Sequence, residues 1–222
     1  MKLYGLIGYP LSHSFSKKYF TEKFQKENIR DARFELFPIE QIDMLPYLIQ
    51  EQKNLQGLAV TIPYKESVIH YLDELSETAS AIGAVNCISI HDGKCKGDNT
   101  DIVGFENSFR PLLQQHHSKA LVLGSGGSSK AVQFVLKKLK IDYIVVSRFQ
   151  GSNQITYAEI DAAMYKDYTI IINCTPVGMS PYEDQFPEIR YECVGKDHLL
   201  YDLIYNPSLT LFLKKGSAQG AA

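Results

Sequence analysis

The chain has 222 residues and a mass of 25.1 kDa, which is enough for one large or two small domains. Hydrophobic residues make up 45% and charged residues 22%, a globular composition that excludes a disordered chain. The net charge is −2 and no apolar run reaches the ~18 to 20 residues of a membrane helix, so neither nucleic-acid binding nor a membrane span is indicated.

The first hundred residues alternate between strand and helix patterns. Apolar runs and helical spacing predict strands at residues 3–8, 33–38 and 55–62, and helices at residues 14–26 and 43–52. Ser14 is in the position of a helix N-cap. Because the strands are separated by helices, we expect parallel pairing through right-handed crossovers.

A hairpin and a second alternating unit follow. Asp92-Gly93 between two strand patterns, at residues 84–91 and 94–97, predicts a tight hairpin turn. The later patterns predict helices at residues 100–113, 128–139, 157–164 and 209–215, and strands at residues 120–123, 143–147, 169–173 and 199–203. We therefore predict an α/β fold of two domains, residues 1–100 and 101–222.

The segment Leu121-Val-Leu-Gly-Ser-Gly-Gly-Ser-Ser-Lys-Ala131 combines a strand, a glycine turn and a helix start. Gly124, Gly126 and Gly127 let the backbone approach a pyrophosphate, and the N–H groups at the helix start attract the anion. A glycine loop alone is weak evidence, but its strand–turn–helix context favours dinucleotide binding.

The next predicted strand ends in Ser147-Arg148, where NAD-preferring sites place an Asp or Glu. A guanidinium can bind a 2′-phosphate through paired hydrogen bonds, which favours NADP. A solvated arginine at a strand end is the structural alternative.

Two charged residues are candidates for proton transfer. Lys65 follows a predicted strand and stands at a predicted helix start, in the crevice where open α/β sheets bind ligands. A solvated surface lysine explains the same spacing and is the more common case. Asp101 stands at a predicted helix start, where it either favours the first turn or accepts from a substrate hydroxyl.

Neither the serine cluster nor the cysteines establish a site by themselves. Ser14, Ser16 and His13 at a helix start offer either a carboxylate seat or plain capping. The four cysteines form no CxxC pair, and no His or Cys spacing is typical of a metal site. We expect reduced thiols and a cytoplasmic protein, with Cys174 as a packing residue.

In order, these segments resemble the shikimate dehydrogenase family. The motifs that carry the resemblance span the chain: Gly8-Tyr-Pro-Leu-Ser-His-Ser-Phe-Ser16, Val60-Thr-Ile-Pro-Tyr-Lys65, Ala84-Val-Asn86, Gly97-Asp-Asn-Thr-Asp-Ile-Val-Gly-Phe105, the glycine loop, Asn173-Cys-Thr-Pro-Val-Gly-Met179 and Asp202-Leu-Ile-Tyr-Asn-Pro207. Seven motifs in the same order are highly specific.

The resemblance implies a role for each matching residue. Lys65 and Asp101 match the catalytic pair, and the residues matching the substrate site are Ser14, Ser16, Thr61, Asn86 and Tyr205. The residues matching the cofactor site are Gly124, Gly126, Gly127, Ser128, Arg148, Thr175 and Met179. It also implies an N-terminal substrate-binding domain, a C-terminal Rossmann-like NADP-binding domain and an active site in the cleft between them.

The implied activity is the NADP-dependent, reversible reduction of 3-dehydroshikimate to shikimate in chorismate and aromatic amino-acid biosynthesis. The alternatives are a quinate/shikimate dehydrogenase that uses NAD, or a nucleotide-binding protein without turnover. We expect a small-molecule substrate, no nucleic-acid or membrane partner, no metal, and a monomer or homodimer. The family's C-terminal motif with its substrate-contacting Gln is not found, and Gln219 does not replace it.

Overall fold

The computed structural model describes residues 1–12, 14–151 and 153–222. It divides into two compact units, residues 1–100 and 101–222, and each has its own sheet. No helix in the described ranges is long and apolar enough to cross a membrane.

The first unit is built on a mixed six-stranded sheet in the order β2-β1-β3-β5-β6-β4. Its strands are β1 (Lys2–Gly8), β2 (Ala32–Pro38), β3 (Leu55–Val60), β4 (Glu74–Leu75), β5 (Cys87–His91) and β6 (Lys94–Asp98). Its helices are α1 (Ser16–Lys26), α2 (Leu45–Glu51) and α3 (Glu77–Ile82). β1 pairs in parallel with β2 and β3, as the alternation predicts, and β5 runs antiparallel to β3.

The predicted N-cap role of Ser14 is wrong. α1 begins at Ser16, its N-cap is Phe15, and no side chain caps it. Ser14 instead accepts a hydrogen bond through Oγ from the Ser16 N–H at 3.3 Å. One side of α1 packs Phe20 and Phe24 over a small cluster centred on buried Phe34.

The predicted hairpin is confirmed. β5 and β6 pair antiparallel, and Asp92 and Gly93 turn with φ of 50° and 76°. Both angles are positive, as a type I′ turn requires. Two short elements of this unit, β4 and α3, were not predicted. α3 has Ser76 as its N-cap, whose hydroxyl accepts from the Ala79 N–H, and a left-handed Gly83 at its end.

The second unit is built on a parallel five-stranded sheet in the order β11-β10-β7-β8-β9, which is Rossmann-like. Its strands are β7 (Lys119–Leu123), β8 (Asp142–Ser147), β9 (Gln154–Thr156), β10 (Ile170–Asn173) and β11 (Leu199–Asp202). Its helices are α4 (Asp101–Phe109), α5 (Gly127–Lys138), α6 (Met164–Asp167) and α7 (Leu211–Ala218). The predicted α/β class is confirmed in both units.

The helix predicted at residues 157–164 is wrong. A 3₁₀ turn occupies Tyr157–Glu159, and the short α6 begins only at Met164. The Thr156 and Glu159 side chains form a reciprocal capping box around the 3₁₀ turn. This box starts a helical turn but cannot sustain one, because Ile160 is already extended.

Candidate functional site

In the first unit, the carboxyl ends of β1 and β3 lie side by side. The Thr61 N–H donates to the Ile7 carbonyl at 3.0 Å, and the Tyr9 N–H donates to the Ile62 carbonyl at 3.1 Å. A Cβ atom on Gly8 would lie 2.5 Å from the Thr61 methyl carbon and 2.9 Å from the Ile62 carbonyl oxygen. Only glycine at position 8 therefore permits this close approach of the two strands, and Thr61 lies where they end.

Backbone hydrogen bonds hold Lys65 at the same edge of the sheet. A turn joins Thr61 to Tyr64, whose buried hydroxyl donates to the Ile39 carbonyl at 2.7 Å. The Lys65 carbonyl accepts from the Val85 N–H at 2.7 Å. No α-helix begins at Lys65: a 3₁₀ segment, Ser67–Tyr71, follows it, so the predicted helix start is wrong.

Asn86 is bonded through its backbone to β3 and β6, and its side chain holds Thr100, the last residue of the first unit. Its carbonyl accepts from Val60 at 2.8 Å, and its N–H donates to the Asp98 carbonyl at 3.0 Å. Its side-chain oxygen accepts from the Thr100 N–H at 2.9 Å, and its amide nitrogen donates to the Thr100 hydroxyl at 3.0 Å. Thr61, Lys65 and Asn86 are thus brought together, and all three are half-buried.

The segment with Ser14 and Ser16 follows β1. The Ser14 N–H donates to the Leu11 carbonyl at 3.0 Å, and the side chains of both serines are half-buried. Ser14 therefore lies between β1 and α1, and Ser16 is the first residue of α1. His13, which sequence analysis grouped with them, lies outside the described residues.

In the second unit, β7 leads into the glycine loop. Gly124 has φ of +105° and donates its N–H to the Val146 carbonyl at 2.7 Å. A Cβ atom there would lie 3.0 Å from the Thr175 methyl carbon and 3.2 Å from the Cys174 carbonyl carbon. Gly124 therefore combines a left-handed backbone with close packing against the segment after β10.

The start of α5 has the donors that a pyrophosphate requires. Gly126 is the N-cap, and a Cβ atom built on it would meet nothing within 4 Å. The first turn of α5, which includes Gly127 and Ser128, contains no acidic residue. The first N–H groups of a helix have no intrahelical acceptor and attract anions. Open space beside these groups fits a dinucleotide phosphate.

Arg148 follows β8 directly and is exposed, with its guanidinium carbon 5.9 Å from the centre of the Phe149 ring. The strand ends in Ser147, so no carboxylate stands where an NAD-preferring site has one. This arrangement fits a group that carries a 2′-phosphate.

The other residues predicted to bind the ligands lie on the loops after β10 and β11. Met179 and Tyr205 are exposed by 42% and 72%, and Thr175 is half-buried. The two loops are joined where the Ser180 N–H donates to the Asn206 carbonyl at 3.2 Å. Asp101 is the first residue of α4 and is half-buried.

Two polar residues at the ends of β10 and β11, where these loops begin, were not predicted to have a role: buried Asn173 and half-buried Asp202. Burial raises the pKa of the Asp202 carboxyl, and hydrogen bonds from Thr210, Ile204 and Asn173 oppose that shift. Burial also raises the pKa of the neighbouring Cys174 thiol, which packs against the hydrophobic core, as predicted. In the sequence, the feature that could have identified Asn173 and Asp202 is a polar residue at the end of an apolar strand.

Across residues 1–12, 14–151 and 153–222, no group of three or more His, Cys, Asp or Glu side chains is placed to hold a metal ion.

Comparisons with known proteins show which proteins this chain is similar to. The family model described as "Shikimate dehydrogenase substrate binding domain" matches residues 6–88. The shikimate dehydrogenase (NADP(+)) of Carboxydothermus hydrogenoformans is 38% identical over 239 residues, covering 99% of this chain and 84% of that protein.

Two solved structures have the same fold over 100% of this chain. Shikimate dehydrogenase 1 from Peptoclostridium difficile is 35% identical with a TM-score of 0.84, and 84% of it is covered. Shikimate 5-dehydrogenase from Thermus thermophilus, solved in complex with NADP(H) and shikimate, is 26% identical with a TM-score of 0.84, and 85% of it is covered.

Proposed function

The chain belongs to the shikimate dehydrogenase family, and we propose that it catalyses the NADP-dependent, reversible reduction of 3-dehydroshikimate to shikimate. The main support is the likeness to shikimate dehydrogenases over nearly the whole chain. Two features of the structure support the same proposal. The glycine loop has open space at the start of α5 for a cofactor phosphate, and polar groups for a substrate come together at Thr61, Lys65 and Asn86.

The second unit, residues 101–222, is proposed to bind the cofactor. The backbone N–H groups of the glycine loop would hold the pyrophosphate, and Arg148 would pair with the 2′-phosphate. The residues proposed to bind the cofactor are Gly124, Gly126, Gly127, Ser128, Arg148, Thr175 and Met179. When bound, the nicotinamide ring supplies or accepts the hydride.

The first unit, residues 1–100, is proposed to bind the substrate. The Ser14 and Ser16 hydroxyls would hold its carboxylate, and Thr61 and Asn86 would bind ring hydroxyls. Both types of contact are hydrogen bonds from half-buried polar groups, which orient a small polar ligand. Tyr205, on the loop after β11, is proposed as a further substrate-binding residue.

Lys65 and Asp101 are the proposed catalytic residues. As the ketone is reduced, its oxygen gains negative charge and needs a proton. The Lys65 ammonium at Nζ would stabilise that charge and deliver the proton, and the Asp101 carboxylate would favour the charged form of the lysine. In the direction of oxidation, Lys65 would accept the proton from the shikimate hydroxyl.

The wider setting is proposed on the same basis. We expect a cytoplasmic enzyme with a small-molecule substrate and no nucleic-acid or membrane partner, active as a monomer or homodimer in chorismate biosynthesis.

The test is the appearance of reduced cofactor at 340 nm when the chain is given shikimate with NADP or with NAD. We expect turnover with NADP, and a loss of at least about 100-fold in Lys65→Ala because a proton donor is removed. Lys94→Ala, on the exposed β5–β6 hairpin, is the matched control and keeps full activity. NADPH binding without turnover would instead support a nucleotide-binding protein.

Cofactor choice is tested with Arg148→Ser. A charge-assisted hydrogen bond contributes roughly 1.5 to 3 kcal/mol, so we expect KM for NADP to rise about 10- to 100-fold while KM for NAD stays constant. Arg190→Ser, an exposed arginine elsewhere in the same unit, is the control. An equal effect on both cofactors would contradict the role of Arg148.

A further inference from the structure

Two polar side chains at adjacent strand ends of the second unit have no direct part in the proposed reaction. Asn173 ends β10 and is fully buried, and Asp202 ends β11. The strands pair in parallel with Asn173 opposite Asp202. Burying an amide, or partly burying a carboxylate, costs free energy unless the group is hydrogen-bonded, so the partners of Asn173 and half-buried Asp202 indicate what they do.

Asn173 uses both its amide protons and its carbonyl oxygen. Nδ2 donates to Asp202 Oδ1 at 3.1 Å and to the Val177 carbonyl at 3.3 Å. Oδ1 accepts from the Thr175 N–H at 3.1 Å and from the Thr175 hydroxyl at 2.6 Å. Every hydrogen-bonding group of this side chain is therefore engaged, and three of the four bonds go to the loop after β10.

Asp202 makes most of its hydrogen bonds to the segment that follows β11. Besides Asn173, its Oδ1 accepts from the Ile204 N–H at 3.0 Å. Its Oδ2 accepts from the Thr210 hydroxyl at 2.6 Å, and Thr210 is also the N-cap of α7. The Leu203 N–H adds a backbone bond to the Asn173 carbonyl at 3.1 Å. The carboxylate thus fixes the backbone on which Tyr205 is carried.

Thr175 connects this network to the glycine loop. Its methyl carbon would lie 3.0 Å from a Cβ atom on Gly124, so the two segments are in tight contact. Its hydroxyl also accepts from the Val177 N–H at 3.2 Å, which shapes the turn leading to Met179. The Asn173 amide therefore holds Thr175 in the place where it packs beneath the phosphate-binding turn.

We propose that Asn173 and Asp202 are positioning residues for cofactor binding, which act through Thr175 and the two loops that they join. The inference rests on the proposed function, because it concerns the NADP(H) site of that reaction. A preformed loop loses less conformational freedom on binding, so the network lowers the dissociation constant without touching the ligand. A polar network whose side chains are all hydrogen-bonded is rigid enough for this role.

The test combines NADPH binding, followed by nicotinamide fluorescence, with steady-state kinetics and thermal unfolding. Asn173→Ala removes all four side-chain bonds, and we expect the Kd for NADPH and KM for NADP to rise at least about 10-fold. KM for shikimate changes less than about 3-fold, because only Tyr205 among the proposed substrate-binding residues lies on these loops and the others belong to the unaltered first unit. Asn173→Ser, which keeps one oxygen, serves if the alanine variant does not fold.

Two further variants separate positioning from other roles. Asp202→Asn keeps an oxygen for Asn173 and Ile204 and turns its NH₂ group toward the Thr210 hydroxyl, so we expect near-normal NADPH binding. Tyr165→Phe removes one hydrogen bond, which the buried Tyr165 hydroxyl accepts from the Arg190 N–H at 2.8 Å and which is no part of the Asn173–Asp202 network. It should lower the unfolding temperature and leave the Kd for NADPH unchanged.

Each outcome decides the question. Folded Asn173 variants that bind NADPH like the unmutated chain would overturn the inference, as would a Tyr165→Phe variant with the same loss of binding. Loss of NADPH binding in Asp202→Asn would overturn a role based on hydrogen-bond geometry. If the unmutated chain binds NADPH but does not oxidise shikimate, the proposed function fails while the binding measurements still test the network. If it does not bind NADPH, both fail.

Discussion

Gly124 and Gly126 lie two residues apart in one loop, and the backbone gives them different reasons to lack a side chain. Gly124 has φ of +105° and tight contact with Thr175, so a methyl group there strains the fold itself. Gly126 has φ of −78° and open space, so the same methyl group meets only what binds there. From the sequence motif the two glycines have the same role, whereas the structure gives Gly124 a role in the fold and Gly126 a role in ligand binding.

Replacing each glycine with alanine should therefore change a different quantity: stability for Gly124 and NADPH affinity for Gly126. Gly124→Ala should lower the free energy of unfolding by about 1 to 3 kcal/mol, because of its left-handed backbone and crowding. Gly126→Ala should leave the unfolding temperature nearly unchanged and raise the Kd for NADPH at least about 10-fold. Thermal melts with and without NADPH measure both. A destabilised Gly126→Ala with normal binding would contradict this assignment.

At the scale of elements, strands were predicted well where they are apolar and buried. β7 and β10 consist mostly of buried aliphatic residues; each starts within one residue of the predicted start and ends at the predicted residue. The short strands β4 and β9 were missed because two or three residues carry no periodicity of their own. They exist because an adjacent strand supplies hydrogen bonds.

The connector between α4 and β7 contains a histidine whose protonation affects the fold. Burial, with the nearby charges of His116 and His198, lowers the pKa of His117, and the backbone carbonyl of Asp197 opposes the shift. Its Nδ1 accepts from the Gln114 N–H at 3.0 Å, which requires an unprotonated Nδ1. The fold therefore favours neutral His117.

The pH dependence follows from the sign of that shift. Because the pKa is lower in the folded state, the stability contributed by neutral His117 is fully present above the unfolded pKa of about 6.5, and it is lost as pH falls toward the folded value. Losing the Gln114 bond costs about 1 kcal/mol, or about 2 to 4 °C in unfolding temperature. Melts at pH 7.5 and 5 should show a smaller decline in His117→Gln and an unchanged decline in the control His91→Gln, an exposed histidine of the first unit.

At the scale of the whole molecule, the two units are proposed to divide the ligands between them. Amide hydrogen exchange measures which unit each ligand protects. NADPH alone should slow amide exchange in residues 124–130 and 174–181, and shikimate alone should slow it in residues 14–16, 61–65 and 84–86, because bound ligands suppress local opening. Protection of the first unit by NADPH with none in the glycine loop would contradict the assignment.

The sequence by itself determined the α/β class, the hairpin at Asp92-Gly93 and the strand–glycine–helix turn, because each depends on residues close together in the chain. Only the tertiary structure decided that a 3₁₀ segment rather than an α-helix follows Lys65, and that Asn173 meets Asp202 across 29 residues. Such a contact depends on strand register and loop packing. Those are set by the free energy of the whole unit, not by any local pattern.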